Sequence, residues 1–166
     1  MKINEMNDIP EIIRCLQQSP VILKNLLMQI PPGLYKIWRI PGKWSIHEHA
    51  CHIATGDQLG FIDRFKQFIS EQKPKIKPLS GDSFPPDYLI KMDLDEALNV
   101  FFEKRKELVN LVSSADESIW IKEAEHPEYQ IYTPYIMLRH RLMHDYFHMY
   151  RIEELWLTND DFLKKT

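Results

Sequence analysis

The chain has 166 residues, of which 44% are hydrophobic and 27% charged, with a formal net charge of −3. That length supports one domain with a substantial core, and the acidic balance leaves no basic surplus to neutralise a phosphate backbone, which argues against a nucleic-acid partner. Only 5 glycines and 2 cysteines are present, too few for a turn-rich all-β fold or a disulfide framework. The opening MKINEMNDIPEII has no apolar signal core, and no run is long enough to span a membrane. The expectation is one soluble, cytoplasmic domain over residues 1–166.

Asp8 is placed to cap a first helix, and Ser19-Pro20 repeats a cap-and-proline signal inside it. The helix is therefore predicted to run to about Ile30 with a break or kink near Pro20. A connector follows, anchored by Tyr35 and Trp38. Ser45 and Glu48 have the capping-box spacing S-x-x-E and open a second helix through about Ser70, with Ala50, Ile53, Ala54, Phe61, Phe65 and Phe68 on its apolar face. Gly56 and Gly60 lie on one side of it, suited to close helix approach. Pro74, Pro78, Pro85 and Pro86 make Lys73 to Asp87 a loop, read as a crossover or a cover over one end. Asp93 with Glu96 caps a third helix, Leu94 to about Val112, with Leu98, Phe101, Phe102, Leu108 and Leu111 as buried positions. Ser113 to Tyr132 is irregular. Thr133-Pro134 then starts a fourth helix to Leu157 that no Gly or Pro interrupts, and a polar tail follows. Four long helices with unequal links make an all-α four-helix bundle with at least one crossover.

Six of the seven histidines fall on the second and fourth helices. His140, His144 and His148 are spaced four apart, so they lie one turn above another on one side of an apolar helix. Burying imidazoles there is costly unless they are paired or bound to metal. A pair at that spacing presents two nitrogens to one ion, and a third histidine from the facing helix would leave positions open for water or substrate. His52 lies deep enough in the second helix to point inward; His47 and His49, in the first turn, are expected to face solvent. HEHACH does not make the H-E-x-x-H pattern, because Cys51 stands where the second histidine belongs. A di-iron site is set aside as well, since Asp145-x-x-His148 has no second copy.

Trp44-Ser45-x-x-Glu48-x-x-x-His52 and His144-Asp145-x-x-His148 together resemble the two signatures of the DinB/YfiT-like superfamily. The resemblance covers most of the chain and implies a four-helix bundle of up-down-down-up topology. It also implies a divalent ion, nickel or zinc, on His52, His144 and His148, and a homodimer. The activities it implies are thiol S-transfer with a low-molecular-weight thiol or metal-dependent hydrolysis of a small molecule. The alternative is a non-catalytic dimeric bundle with a structural metal.

Around such an ion, Glu48 is a candidate for orienting His52, although capping accounts for it as well. Asp145 points away from the site and is expected to pair with Arg141 or a neighbouring helix. Arg151 either meets an anionic substrate or pairs with Glu154 or Glu48. Cys51, Met137, Met143 and Met149 are expected in the core, and His140 is expected to pack or to support the ligands. Trp38, Trp44, Trp120, Tyr132 and Tyr135 are expected mostly to seal the bundle.

Overall fold

Caps set most of the helix starts. In the computed structural model, which describes residues 8–78 and 85–163, the Ser45 hydroxyl accepts from the Glu48 amide at 3.3 Å and the Glu48 carboxylate accepts from the Ser45 amide at 2.8 Å. This reciprocal pair begins α2 (Ile46–Gly56). α2 continues through a π-helical turn, Asp57–Phe61, into α3 (Ile62–Ser70). A short α4 (Tyr88–Lys91) precedes α5 (Leu94–Ser113), which Asp93 caps by accepting from the Glu96 amide at 2.9 Å. Thr133 accepts from the Ile136 amide at 3.3 Å and opens α6 (Pro134–Leu157), followed by α7 (Asp160–Leu163). Residues 79–84 of the expected crossover and 164–166 of the expected tail lie outside the described residues.

α1 (Ile9–Gln29) runs as one helix through Pro20, without the break that was one of the two expectations there, the other being a kink. Proline has no N–H to offer the carbonyl four residues back, which here belongs to Leu16. Arg105 of α5 donates Nη1 to that oxygen at 2.8 Å, so a distant side chain supplies the bond the ring cannot make. Asp8 sits at the N-cap but makes no side-chain cap; it accepts instead from the Tyr135 hydroxyl at 3.0 Å.

That bond places the start of α6 beside the start of α1. At the other end Arg39, just beyond α1, donates to the Thr158 carbonyl at 2.7 Å, just beyond α6, so α1 and α6 are parallel. Lys36 donates to the Ile90 carbonyl at 3.0 Å near the starts of α2 and α5, and Lys122 donates to the Phe68 carbonyl at 2.7 Å near the ends of α3 and α5. The α2–α3 rod and α5 therefore run together, opposite to α1 and α6. α1 and α2 each pack against both α5 and α6. The result is the up-down-down-up four-helix bundle. Residues 74–76 pair with Glu125, and Ala124 pairs with Tyr132, beside the lower end.

The apolar interior falls into two clusters. One includes Leu16, Phe65, Leu108 and Met137, the other Leu23, Ile53, Phe101 and Ile152. On each of three strands of the bundle a charged residue falls between the two sets: Asp57 after α2, Arg105 on α5, and Arg141 with Asp145 on α6. All four are buried. Arg105 Nε donates to Asp57 Oδ2 and Arg141 Nε to Asp57 Oδ1, each at 2.6 Å. Nη1 of each arginine stands 2.8 Å from an Asp145 oxygen. Neither Asp145 oxygen has a well-aligned hydrogen bond, so attraction between opposite charges carries those two contacts. Burial alone would push the Asp57 carboxyl up; Arg141 and Arg105 outweigh it and hold it below the usual range.

The expected pairing of Asp145 with Arg141 is present. Arg105 and Asp57 had no role in the sequence reading. The buried stripe of α5 is Ala97, Phe101, Arg105, Leu108 and Val112, whereas Leu98, Phe102 and Leu111 are half-buried. Gly56 makes the layer possible: a Cβ there would stand 3.0 Å from Cζ of Arg141. Met137 and Met149 are in the core as expected, but Met143 is 60% exposed, on the solvent side of α6.

Candidate metal centre

Just above the charged layer, α2 and α6 pack side by side and bring three imidazoles into a triangle. His144 and His148 come from adjacent turns of α6, and His52 faces them from α2. Ring centroids are 4.8 Å apart for His52 and His144, 4.6 Å for His52 and His148, and 4.5 Å for His144 and His148. One nitrogen from each can be chosen so that all three lie within 4.8 Å of one another. Tetrahedral zinc with bonds of about 2.1 Å holds its ligand nitrogens roughly 3.4 Å apart, so small ring rotations suffice. His52 Nε2 and His144 Nε2 already face each other at 2.9 Å.

The imidazoles are held neutral, the form in which a nitrogen can donate its lone pair. Burial is the largest cause at every ring. It combines with the Arg141 cation to bring His52 down to about 4 and His144 to about 3. At His148, burial and the other imidazoles give about 2. Three histidines, two of them half-buried and the third just buried, fit a divalent ion.

His49 and His47 are both buried, at 7% and 3% exposure, contrary to the solvent-facing positions expected of them. The reason is that the connector before α2 packs on His49 through Trp44, while the backbone at Leu89 and Met92, in and just after α4, meets His47. Trp44 packs on His52 with centroids 4.7 Å apart and on His49 at 5.4 Å. His49 Nδ1 stands 2.8 Å from His148 Nδ1. His47 turns away, with Nε2 3.5 Å from the Cys51 sulfur. Cys51 is in the core, and burial pushes its thiol up to about 12.

Glu48 Oε2 accepts from the Ser45 amide at 2.8 Å, the Ser45 hydroxyl at 2.7 Å and Trp38 Nε1 at 2.7 Å. That oxygen is committed to the helix cap and to the connector. Arg141 reaches up from the charged layer, with Nη1 3.1 Å from His144 Nδ1. A guanidinium can only donate, so His144 accepts at Nδ1 and its own proton sits on Nε2, facing His52. Arg151 pairs with Glu154, the simpler of its two expected roles. His140 packs against Tyr129, with centroids 4.9 Å apart, in a group that includes Tyr132 and His126.

Residues 16–152 match a family described as the DinB superfamily. No curated protein matches the chain. Its fold is similar to that of YfiT from Bacillus subtilis, described as a probable metal-dependent hydrolase with an unusual four-helix bundle topology. The TM-score is 0.77 at 22% identity, with 88% of this chain and 84% of that chain covered, a likeness of fold.

Proposed function

Because the chain belongs to the DinB superfamily and gathers three neutral imidazoles around one point, we propose that it is a metal-dependent hydrolase with zinc or nickel on His52, His144 and His148. The observation that carries this reading is the ligand set: three histidines with no fourth donor among the described residues, the pattern of catalytic rather than structural sites. A divalent ion there supplies Lewis acidity, polarising a carbonyl and lowering the pKa of water or of a thiol.

The chain's own residues do the rest. Trp44 covers one side of the triangle and keeps bulk water from His52 and His148. His52 and His144 hold a proton between their Nε2 atoms; for both to serve as neutral donors it must pass to His144 Nδ1, displacing Arg141 Nη1. No carboxylate belongs to the cluster of candidate ligands among the described residues. That favours a second reading, thiol S-transfer, in which the attacking group is acidic enough to ionise without a protein base. Glu48 would support either chemistry through the cap that fixes the start of α2.

Elemental mass spectrometry of purified, untagged protein is expected to find about one equivalent of zinc or nickel per chain and almost none in His144→Ala. Ester and amide panels, run beside thiol-conjugation panels, then separate the two reactions. Full metal retention by His144→Ala, or a wild-type protein that takes up neither ion on reconstitution, would overturn the ligand assignment.

A further inference from the structure

Two neutral imidazoles that meet Nδ1 to Nδ1 at 2.8 Å share a single proton: with none the lone pairs repel, and with two the N–H groups clash. The proton therefore belongs to His49 or to His148, and the choice decides what His148 offers on its other side. If His49 holds it, neutral His148 is protonated at Nε2, the nitrogen left to face the triangle. His144 already directs an N–H there because Arg141 occupies its Nδ1. A second N–H aimed at the same point would close the triangle to any cation. If His148 holds it, the ring donates Nδ1–H to His49 and its Nε2 lone pair is free.

Resting on the metal reading above, we propose that His49 is a positioning residue for the metal centre: its Nδ1 accepts from His148 and fixes that ring with Nε2 open to the ion. His49 is well placed for this. It is buried, it sits one turn before His52 on the same helix, and Trp44 packs against its ring, with centroids 5.4 Å apart. A ligand histidine gains orientation and basicity when its other nitrogen donates to a fixed acceptor. His148 has that acceptor in His49, whereas His144 meets a cation at the corresponding atom.

The test uses two variants that differ at the atom in question. Asparagine places Oδ1 close to where histidine places Nδ1, so His49→Asn keeps an acceptor. His49→Leu puts a methyl group there. Zinc affinity, measured by competition with a chromophoric chelator, is expected to fall about 10- to 100-fold in His49→Leu. In His49→Asn it should recover to near the wild-type value. Nitrogen-15 spectra of the metal-free wild type are expected to show the His148 proton on Nδ1, and that preference should be lost in His49→Leu. A folded His49→Leu with wild-type affinity, equal losses in both variants, or a wild-type His148 protonated on Nε2 would each overturn the proposal while leaving the metal reading intact. A wild-type protein without zinc affinity would overturn both.

Discussion

Two buried polar clusters share α6 and lie within a turn of each other, yet they are built on opposite terms. In the lower one, two arginines and two aspartates alternate, and each charge has a counter-charge 2.6–2.8 Å away. In the upper one there is no formal charge, and nitrogens face nitrogens. The lower cluster is complete within the protein and asks for nothing further. The upper one gathers three ring nitrogens around a common point, two of them on half-buried side chains. Burial of polar groups alone therefore does not mark a functional site; what marks it is polar atoms whose partners are not supplied by the fold. Arg141 joins the two, serving Asp57, Asp145 and the Ile53 carbonyl below and His144 above.

Breaking the lower cluster should have the largest effect. Arg105→Ala would leave Asp57 with one partner fewer and the Leu16 carbonyl without its donor. The expected cost is about 3–5 kcal/mol, read from denaturant unfolding. A loss below 1 kcal/mol would mean that water or Arg141 replaces it and that the cluster is not the closed unit described.

Next is the joint between the clusters. Gly56→Ala adds a Cβ 3.0 Å from the Arg141 guanidinium, whose four partners leave it no room to retreat. Alanine would contribute about 1 kcal/mol as a better helix former. Overpacking costs about 1–3 kcal/mol. The net expectation is a destabilised protein in which Arg141 no longer holds the His144 ring. A stabilised variant would show that the guanidinium gives way.

The smallest effect at neutral pH, and the sharpest separator, is acid titration of the metal-free protein. The imidazoles of His52, His144 and His148 are held at about 4, 3 and 2, below the ordinary 6.5 that they regain on unfolding. Below 6.5 the unfolded chain binds protons that the folded one refuses, so stability present above 6.5 falls as pH drops through about 4, 3 and 2. Asp57 is also held below its ordinary 3.8, so its contribution is lost only in a lower window, as pH falls through the folded value. Melting temperature against pH should decline from 6.5 in an upper stage set by the imidazoles alone and steepen below 3.8, where Asp57 joins them. In a His144→Leu, His148→Leu double variant the upper stage should flatten; an unchanged profile would mean that these rings titrate freely in the folded protein.

What was legible in the sequence was local. Capping pairs at Ser45 and Glu48, Asp93 and Glu96, and Thr133 with Pro134 act within a few residues, and each begins a helix where expected. His52, His144 and His148 were named by the two motifs, and the fold brings them together; spacing alone also pointed to His140, which packs against Tyr129 instead. The failures were all decisions made at a distance. The helix is not interrupted at Pro20, and Arg105, 89 residues from Leu16, takes the carbonyl the ring leaves free. His47 and His49 are buried because Trp44 of the connector packs on His49 and the segment around α4 packs on His47, contacts that spacing within the helix does not show. Arg105 gave one usable signal, a position on the same stripe as Phe101 and Leu108, but its charge argued against burial until its partners were known.

The charged layer also settles how far each helix is slid along its axis. Apolar side chains on facing helices would pack almost as well one turn up or down, but only one alignment brings Arg141 level with Asp57. From that mark His52 stands about 7.5 Å higher along its helix, at about 1.5 Å per residue. On the antiparallel α6, His144 and His148 stand about 4.5 Å and about 10.5 Å above Arg141. His52 therefore arrives midway between its two partners. The height of the triangle is measured out from the salt-bridge layer beneath it.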